Sequence, residues 1–243
     1  GWAVLCLSML AVTSWAGPLD KAFAALSVHD YFKAKELFTK QTRRDPAAAW
    51  YGLSVITGRA DNPFFQLDSS LAAIRRSMAA FAVLDEKGRG KVARFGVDSA
   101  TIRAQFDHVG EMAWTRVANT DRMEDYQRYI DAFAGSTMVA QAIDRRNELA
   151  FQEARRENSA AGYRRFVDRY PDAKEAFSAR SRLQQAVYEE ATSAGTAAVY
   201  ERFIKEHPEN AHVRDAEDAL YALFTPDKTV GQYAAFIHRY PEN

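Results

Sequence analysis

The 243-residue chain has a single cysteine, Cys6, set in an apolar amino-terminal segment whose removal would leave no thiol. A processed chain therefore has no disulfide framework, cysteine nucleophile or thiolate metal site. Glycine and proline are sparse, 12 and 7 residues, which excludes collagen-like and low-complexity chains. Neither sign of charge is in excess, since 32 lysines and arginines face 32 acidic residues. No global field then draws the chain to nucleic acid or an anionic bilayer, and no nucleic-acid partner is expected. Beyond residue 16 no apolar run approaches the roughly 20 residues of a spanning helix, so the mature chain is expected to lack a transmembrane segment. What remains, with 47% apolar residues, suffices for a globular core.

Residues 1–16 carry no charge and hold the apolar run Trp2 to Val12, followed by Ser14-Trp15-Ala16. An apolar core ending in small residues is the pattern of a cleavable signal peptide. The initiator methionine and basic segment that precede such a core are missing, so the segment reads as truncated at its start. Leu5 precedes Cys6 where a lipoprotein signal has a small residue, so there is no clear lipobox. A periplasmic or otherwise exported location is expected.

Internal periodicity dominates the rest. Tyr163 to Pro171, Tyr200 to Pro208 and Tyr233 to Pro241 superpose, and a weaker copy runs from Tyr126 to Phe133 with Ala134 in the proline position. The leading tyrosines lie 37, 37 and 33 residues apart, the period of a helical-hairpin solenoid. Within each copy large apolar residues fall at offsets 0, 3, 4 and 7, on one helical face, save that His207 takes the place of Tyr170 and Tyr240 at offset 7. The proline at offset 8 stops the helix. Caps are expected from Asn158 or Ser159, from Thr196, and from Thr225 or Asp227. Between copies run longer helices with a repeated alanine, Ala142, Ala179 and Ala216, that lets paired helices approach closely. One position further along the same stripe reads Arg146, Leu183 and Leu220.

Upstream, helices are expected over Leu19–Val28, Asp30–Thr42, Pro46–Ile56, Ser69–Leu84, Ser99–Val117 and Arg122–Phe133. Loops are expected at Thr57–Leu67 and at Asp85–Asp98, the latter with the solvated turn Lys87-Gly88-Arg89-Gly90-Lys91. The reading is all-α: a right-handed solenoid of antiparallel helical hairpins, about six of them. Residues 17–134 form irregular repeats and 135–243 regular ones, and the array is expected to continue past Asn243, where no polar capping helix stands.

The spacing of small residue, aromatic, residue and proline in Ala34, Phe38, Gln41 and Pro46, and in Ser159, Tyr163, Phe166 and Pro171, resembles the second helix of a tetratricopeptide repeat. Thr196, Tyr200, Phe203 and Pro208 match more loosely. Tyr163 to Pro171 with Ala176 and Ala179 is also similar to repeats of periplasmic outer-membrane-assembly lipoproteins of the YfiO type, and to repeat-bearing amino-terminal regions of exported Bacteroidetes proteins. The resemblance runs from about Leu19 to the chain end. It departs from the pattern where bulky Phe166, Phe203 and Phe236 take a position usually kept small. It implies a superhelical fold and a role in envelope assembly.

No convergent catalytic set is legible. Gly52-Leu53-Ser54-Val55-Ile56 begins like a nucleophile elbow but lacks the closing glycine. Lys87 to Lys91 lacks the first P-loop glycine, and Val92 replaces the metal-binding hydroxyl. The five histidines show no zinc-site spacing, His108 and Glu111 being a lone pair on one helix face. Glu189-Glu190 and Glu217-Asp218 sit on regular helices without an apolar wall to raise a pKa. No enzyme activity, cofactor or metal is expected.

Arg128, Arg165 and Arg202 recur at offset 2 from their tyrosines, opposite the apolar stripe, with Arg169 and Arg239 nearby. Stacking would line them into a ladder suited to carboxylate or phosphate groups. The alternative is local pairing with Asp168, Glu201 or Asp131. Helical phase adds Asp144, Arg145, Arg182 and Asp218 as exposed positions on the longer helices. The function expected is a non-enzymatic scaffold of the bacterial cell envelope that binds a protein or peptide on the solenoid surface. The alternatives are an accessory arm of a larger envelope enzyme or sensor whose catalytic part follows residue 243, and a structural spacer.

Overall fold

A computed structural model describes residues 17–241. The signal-peptide segment and Cys6 lie outside the described residues. Among the described residues there are thirteen α-helices and no strand: α1 (Pro18–Ser27), α2 (Tyr31–Gln41), α3 (Pro46–Thr57), α4 (Leu67–Ala82), α5 (Glu86–Ala93), α6 (Ser99–Thr120), α7 (Met123–Ala132), α8 (Val139–Glu157), α9 (Ala160–Arg169), α10 (Ala176–Thr192), α11 (Ala197–Glu206), α12 (Val213–Phe224) and α13 (Val230–Arg239). None is long and apolar enough to cross a membrane. The chain divides into two compact units between Asn119 and Thr120. The pair expected from helices 99–117 and 122–133 thus falls on both sides of the division, α6 in the first unit save its last residue and α7 in the second.

In the first unit, helix starts are set locally. Pro18 and Pro46 open α1 and α3 with φ already helical and no amide to satisfy. The Asp30 carboxylate caps α2 by accepting from the Lys33 N–H at 3.1 Å. Helix α3 is buried almost all round, because α1, α2 and α4 all pack on it. The fully buried ring of Phe38 meets Phe23 edge-on at 4.9 Å between centroids, and Phe23 stacks on Phe95 at 5.0 Å. Three serines are also fully buried, and each has a partner. Ser70 donates to the Ser54 carbonyl at 2.8 Å and Ser77 to the Ala47 carbonyl at 2.7 Å, tying α4 to α3. Gln105 of α6 donates to the Ser54 carbonyl at 3.3 Å. The Ser54 hydroxyl itself lies 3.0 Å from that of Ser70 and accepts from the Gln105 amide at 3.2 Å, a structural hydroxyl inside a helix.

One expected loop is corrected. Within 85–98 the chain forms α5, and Lys87 to Lys91 belongs to that helix. Asp85 accepts from the Gly88 N–H at 2.7 Å, and Val92 is buried, 4% exposed. A good cap and one buried anchor outweigh the propensity cost of two glycines, about 1 kcal/mol each. Lys91 also reaches back to pair with Asp45.

In the second unit the helix boundaries repeat with the tyrosines. The ten-residue helices α7, α9, α11 and α13 begin 37, 37 and 33 residues apart, and the longer α8, α10 and α12 begin 37 and 37 apart. The turns repeat too. The N–H groups of Phe133, Tyr170, His207 and Tyr240 donate to the carbonyls of Tyr129, Phe166, Phe203 and Phe236 at 2.8 to 2.9 Å. Consecutive helices pack on one another from α7 through α13. Ala142, Ala179 and Ala216 are fully buried, which is what close helix approach requires. Tyr163, Phe166 and Tyr170 form one buried cluster with Ala154, Ala160, Ala179 and Ala186. Arg146, where the later repeats have leucine, lays its guanidinium over the Tyr170 ring at 4.8 Å and donates to Gln127 at 2.7 Å. A long arginine stem can replace leucine there because its polar head keeps partners.

A further recurrence is visible only in the backbone. Five residues before each leading tyrosine the chain turns left-handed, at Asp121 (φ 46°), Asn158 (φ 47°), Gly195 (φ 63°) and Lys228 (φ 53°). Tyr126 and Tyr163 donate their hydroxyls to Asp121 and Asn158 at 3.0 and 2.9 Å, locking that turn. Capping follows from it. Ser159 accepts from the Gly162 N–H at 2.9 Å, whereas Thr196 stands at the cap position without a side-chain bond. At the last helix neither Thr225 nor Asp227 is the cap. Thr229 is, in a capping box with Gln232, because the left-handed turn at Lys228 places the next residue at the helix start. Thr225 is buried and donates instead to the Tyr221 carbonyl at 2.7 Å. Lysine is the one residue of the four poorly suited to positive φ. Lys228→Gly is expected to stabilise the chain by about 1 kcal/mol, read as a higher urea midpoint at unchanged slope.

Candidate binding groove

The structure does not gather the seven residues singled out from the sequence: among the described residues no hydrogen bond or ion pair joins any two of them. Arg128 pairs with Asp125 of its own helix, and Arg165 with Glu157 across the α8–α9 turn. Asp125 and Glu157 are the local partners of these two; of the three carboxylates expected, Glu201 takes a neighbouring arginine, Arg239, and among the described residues Asp168 and Asp131 take none. Asp131 accepts from Gln127 at 2.9 Å, and Glu201 takes Arg239 at 2.9 Å as well as the Tyr240 hydroxyl. Arg202, Asp144, Arg182 and Asp218 are exposed. Arg145 is not freely exposed. It is half-buried between Asp121 at 2.5 Å and Glu148 at 2.7 Å, which raises its pKa and, through the Asp121 bonds, lowers that of Asp121. Arg145 thus pins the left-handed turn before α7. A shallow groove of about 480 Å³ beside Arg165 is lined by carboxylates and arginines together, Glu153, Glu157, Asp168 and Arg169 among them.

A larger open groove, about 630 Å³, lies in the first unit among α2, α3, α4 and the loop that joins α3 to α4. Trp50 and Leu53 from α3 and Phe64 and Phe65 from the loop form its apolar walls, and Lys35 and Thr39 of α2 with Thr57 and Gln66 add polar groups beside them. Phe65 is 42% exposed, and Phe32, which meets Phe64 edge-on at 4.8 Å, is 69% exposed. Fully covering a ring of this size is worth about 2 kcal/mol, so these rings are a standing source of binding energy. The Lys35 ammonium lies 4.1 Å from the Phe64 centroid, and the Arg76 guanidinium 4.5 Å from the Trp50 ring.

The loop presenting Phe64 and Phe65 is held in place from beneath. Asn62 donates to the carbonyls of Ile56 at 3.0 Å and Arg59 at 2.9 Å, and accepts from the Phe64 N–H at 2.9 Å. The Gln66 N–H donates to the Thr57 carbonyl at 2.8 Å, closing the loop at its base. Asp61 receives Arg59 at 2.6 Å and the Tyr31 hydroxyl at 3.2 Å, which fastens the loop to α2. The Arg59 bond, aided by that of Tyr31, holds the Asp61 carboxyl well below the usual carboxylate range. The sequence shows Asp61-Asn62-Pro63 as turn residues. The overlooked signal was the pair of phenylalanines next to them, in a segment with no helical face on which to bury rings.

Asp61, Asp121, Asp125 and Glu201 all have lowered pKa values, through Arg59, Arg145, Thr120 with Arg128, and Tyr240 with Arg239. A carboxyl whose folded pKa lies below its unfolded one contributes stability above the unfolded value, about 4, and loses it as pH falls through the folded value. The melting temperature is expected to stay level from about pH 8 to 5 and to fall below about pH 4, with a smaller fall in Arg145→Gln. A fall beginning near pH 6 would exclude these carboxylates as the cause.

Other candidate chemistry stays dispersed. His108 and Glu111 are both exposed on α6, and among the described residues no group of three or more histidine, cysteine or acidic side chains is arranged to hold a metal ion. No family model matches this chain, and no curated protein does.

Proposed function

We propose that this chain is a non-enzymatic, tetratricopeptide-like scaffold of the bacterial cell envelope, exported through its amino-terminal segment, whose helices stack as antiparallel hairpins and bind a protein or peptide partner on their surface. The period shared by tyrosines, helix boundaries and turns in the second unit supports the repeat reading. The observation that carries the binding reading is the groove in the first unit, where Phe32 stands exposed on α2 and Phe65 is held in solvent by a loop that side-chain bonds of Asn62 and Asp61 fix in place. Rings exposed on a rigid frame lose little conformational entropy on binding. An enzyme site would instead need polar groups converging on one reacting atom.

The test is affinity capture from an envelope extract with wild-type chain and a Phe32→Ser, Phe65→Ser variant as baits, both shown to be folded by circular dichroism. A stoichiometric partner retained by the first and lost by the second is expected. Equal capture by both, or none by either, would refute binding at this groove.

A further inference from the structure

We infer that the groove of the first unit takes an acidic peptide segment carrying an aromatic or large aliphatic anchor, and that Lys35 selects its charge; this rests on the polypeptide-binding reading above. Lys35 is the only charged residue among those lining the groove, so no carboxylate opposes an anionic ligand there. No ion pair engages its ammonium among the described residues, whereas several other cations of this unit are neutralised. Lys40 pairs with Glu36 at 2.5 Å, Arg59 with Asp61 at 2.6 Å, Arg94 with Asp20 at 3.2 Å and Lys91 with Asp45. The Lys35 ammonium instead rests over the Phe64 ring, which leaves its N–H donors free for a carboxylate.

The wider field has the same sign. Residues 17–119 contain 15 lysines and arginines against 11 acidic residues, an excess of four positive charges hidden within a neutral chain. Arg76, over Trp50, adds a second cation beside the aromatic wall. An anionic segment would therefore be steered to this unit, and its apolar side chain would cover Phe64, Phe65 and Trp50. Gln66 accepts from Ser69 at 2.5 Å through Oε1 and keeps its amide N–H groups for a peptide carbonyl. The groove beside Arg165 makes the useful contrast: arginines line it too, but carboxylates line it with them.

The experiment uses the full chain and three short synthetic peptides labelled with fluorescein: one alternating aspartate and phenylalanine, one with lysine for aspartate, and one with alanine for phenylalanine. Anisotropy is expected to show the first binding roughly tenfold more tightly than either other, with affinity falling as salt rises. Lys35→Glu is expected to lose roughly tenfold for the acidic peptide and to turn the preference towards the lysine peptide, whereas Lys35→Arg keeps it. Equal affinity for all three peptides would overturn the assignment. So would a preference for phosphatidylglycerol vesicles, or a self-association abolished by Phe65→Ser, which would give the groove to a lipid surface or to a second copy. A displayed-peptide selection separates the two levels of failure. Ligands that need Phe65 but carry no acid would leave the binding reading standing and refute the charge class, and a folded protein that enriches no peptide would refute both.

Discussion

Tyr163→Ala is expected to lower the stability of the second unit by about 4 kcal/mol, which is the range for removing a large aromatic side chain from a closed core. The ring is 1% exposed and sits in one cluster with Phe166, Tyr170, Ala154, Ala160, Ala179 and Ala186. The surrounding alanines have no reach to fill the space it leaves, and the helix backbones that flank it are already held by their own hydrogen bonds. The hydroxyl contributes separately through its 2.9 Å bond to Asn158 in the left-handed turn. Tyr163→Phe should therefore cost only about 1 kcal/mol. Urea unfolding followed by far-ultraviolet circular dichroism gives both values. A loss under about 2 kcal/mol for the alanine variant would mean that the repeats can collapse around the gap, contrary to the packing described.

The second large effect has the opposite sign from what helix propensity alone would give. Gly52 lies inside α3, where exchange for alanine normally stabilises by about 1 kcal/mol. Here a β-carbon would be driven into the ring of Phe38, well inside van der Waals contact, and that ring is itself fully buried. Gly52→Ala is expected to destabilise the first unit by about 1 to 2 kcal/mol, the penalty for overpacking less the gain in propensity. The double variant Gly52→Ala, Phe38→Leu should recover part of the loss relative to Phe38→Leu alone, since the smaller side chain yields to the added methyl. A stabilised single variant would show that α2 moves freely away from α3.

The repeats of the second unit were legible because everything that defines them is local. Apolar residues at offsets 0, 3, 4 and 7 place a stripe, proline ends the short helix, and the same period reappears in the observed helix starts. The loop expected over 85–98 differs for a local reason as well: two glycines in a basic run suggest a turn, whereas in the folded chain the Asp85 cap and the buried Val92 decide. The cap of the last short helix is expected at Thr225 or Asp227, and Thr229 was not legible as the residue that fills it. It depends on which residue adopts positive φ, and lysine gives no hint of that.

The arginines of the repeats illustrate a different boundary. Helical phase places Arg128 and Arg165 away from the apolar stripe, and both are exposed. Phase does not choose their partners. Asp125 lies three residues before Arg128 on one helix, but Glu157 reaches Arg165 across a turn whose shape Asn158 sets. Arg145 shows the same limit, its guanidinium drawn by Asp121 out of the solvent position its phase suggested.

The sequence by itself determined that the chain is helical, where most helices run, the period of the second unit and which faces are apolar. These rest on interactions among residues within about four positions of one another, and those are written in order along the chain. Tertiary structure alone decided that Gly52 must remain without a side chain, that buried serines tie α4 to α3, and that Lys35, Trp50 and Phe65 share one groove. Each of these depends on the close approach of segments far apart in sequence, where the volume and hydrogen-bonding capacity of one segment set what the other can hold.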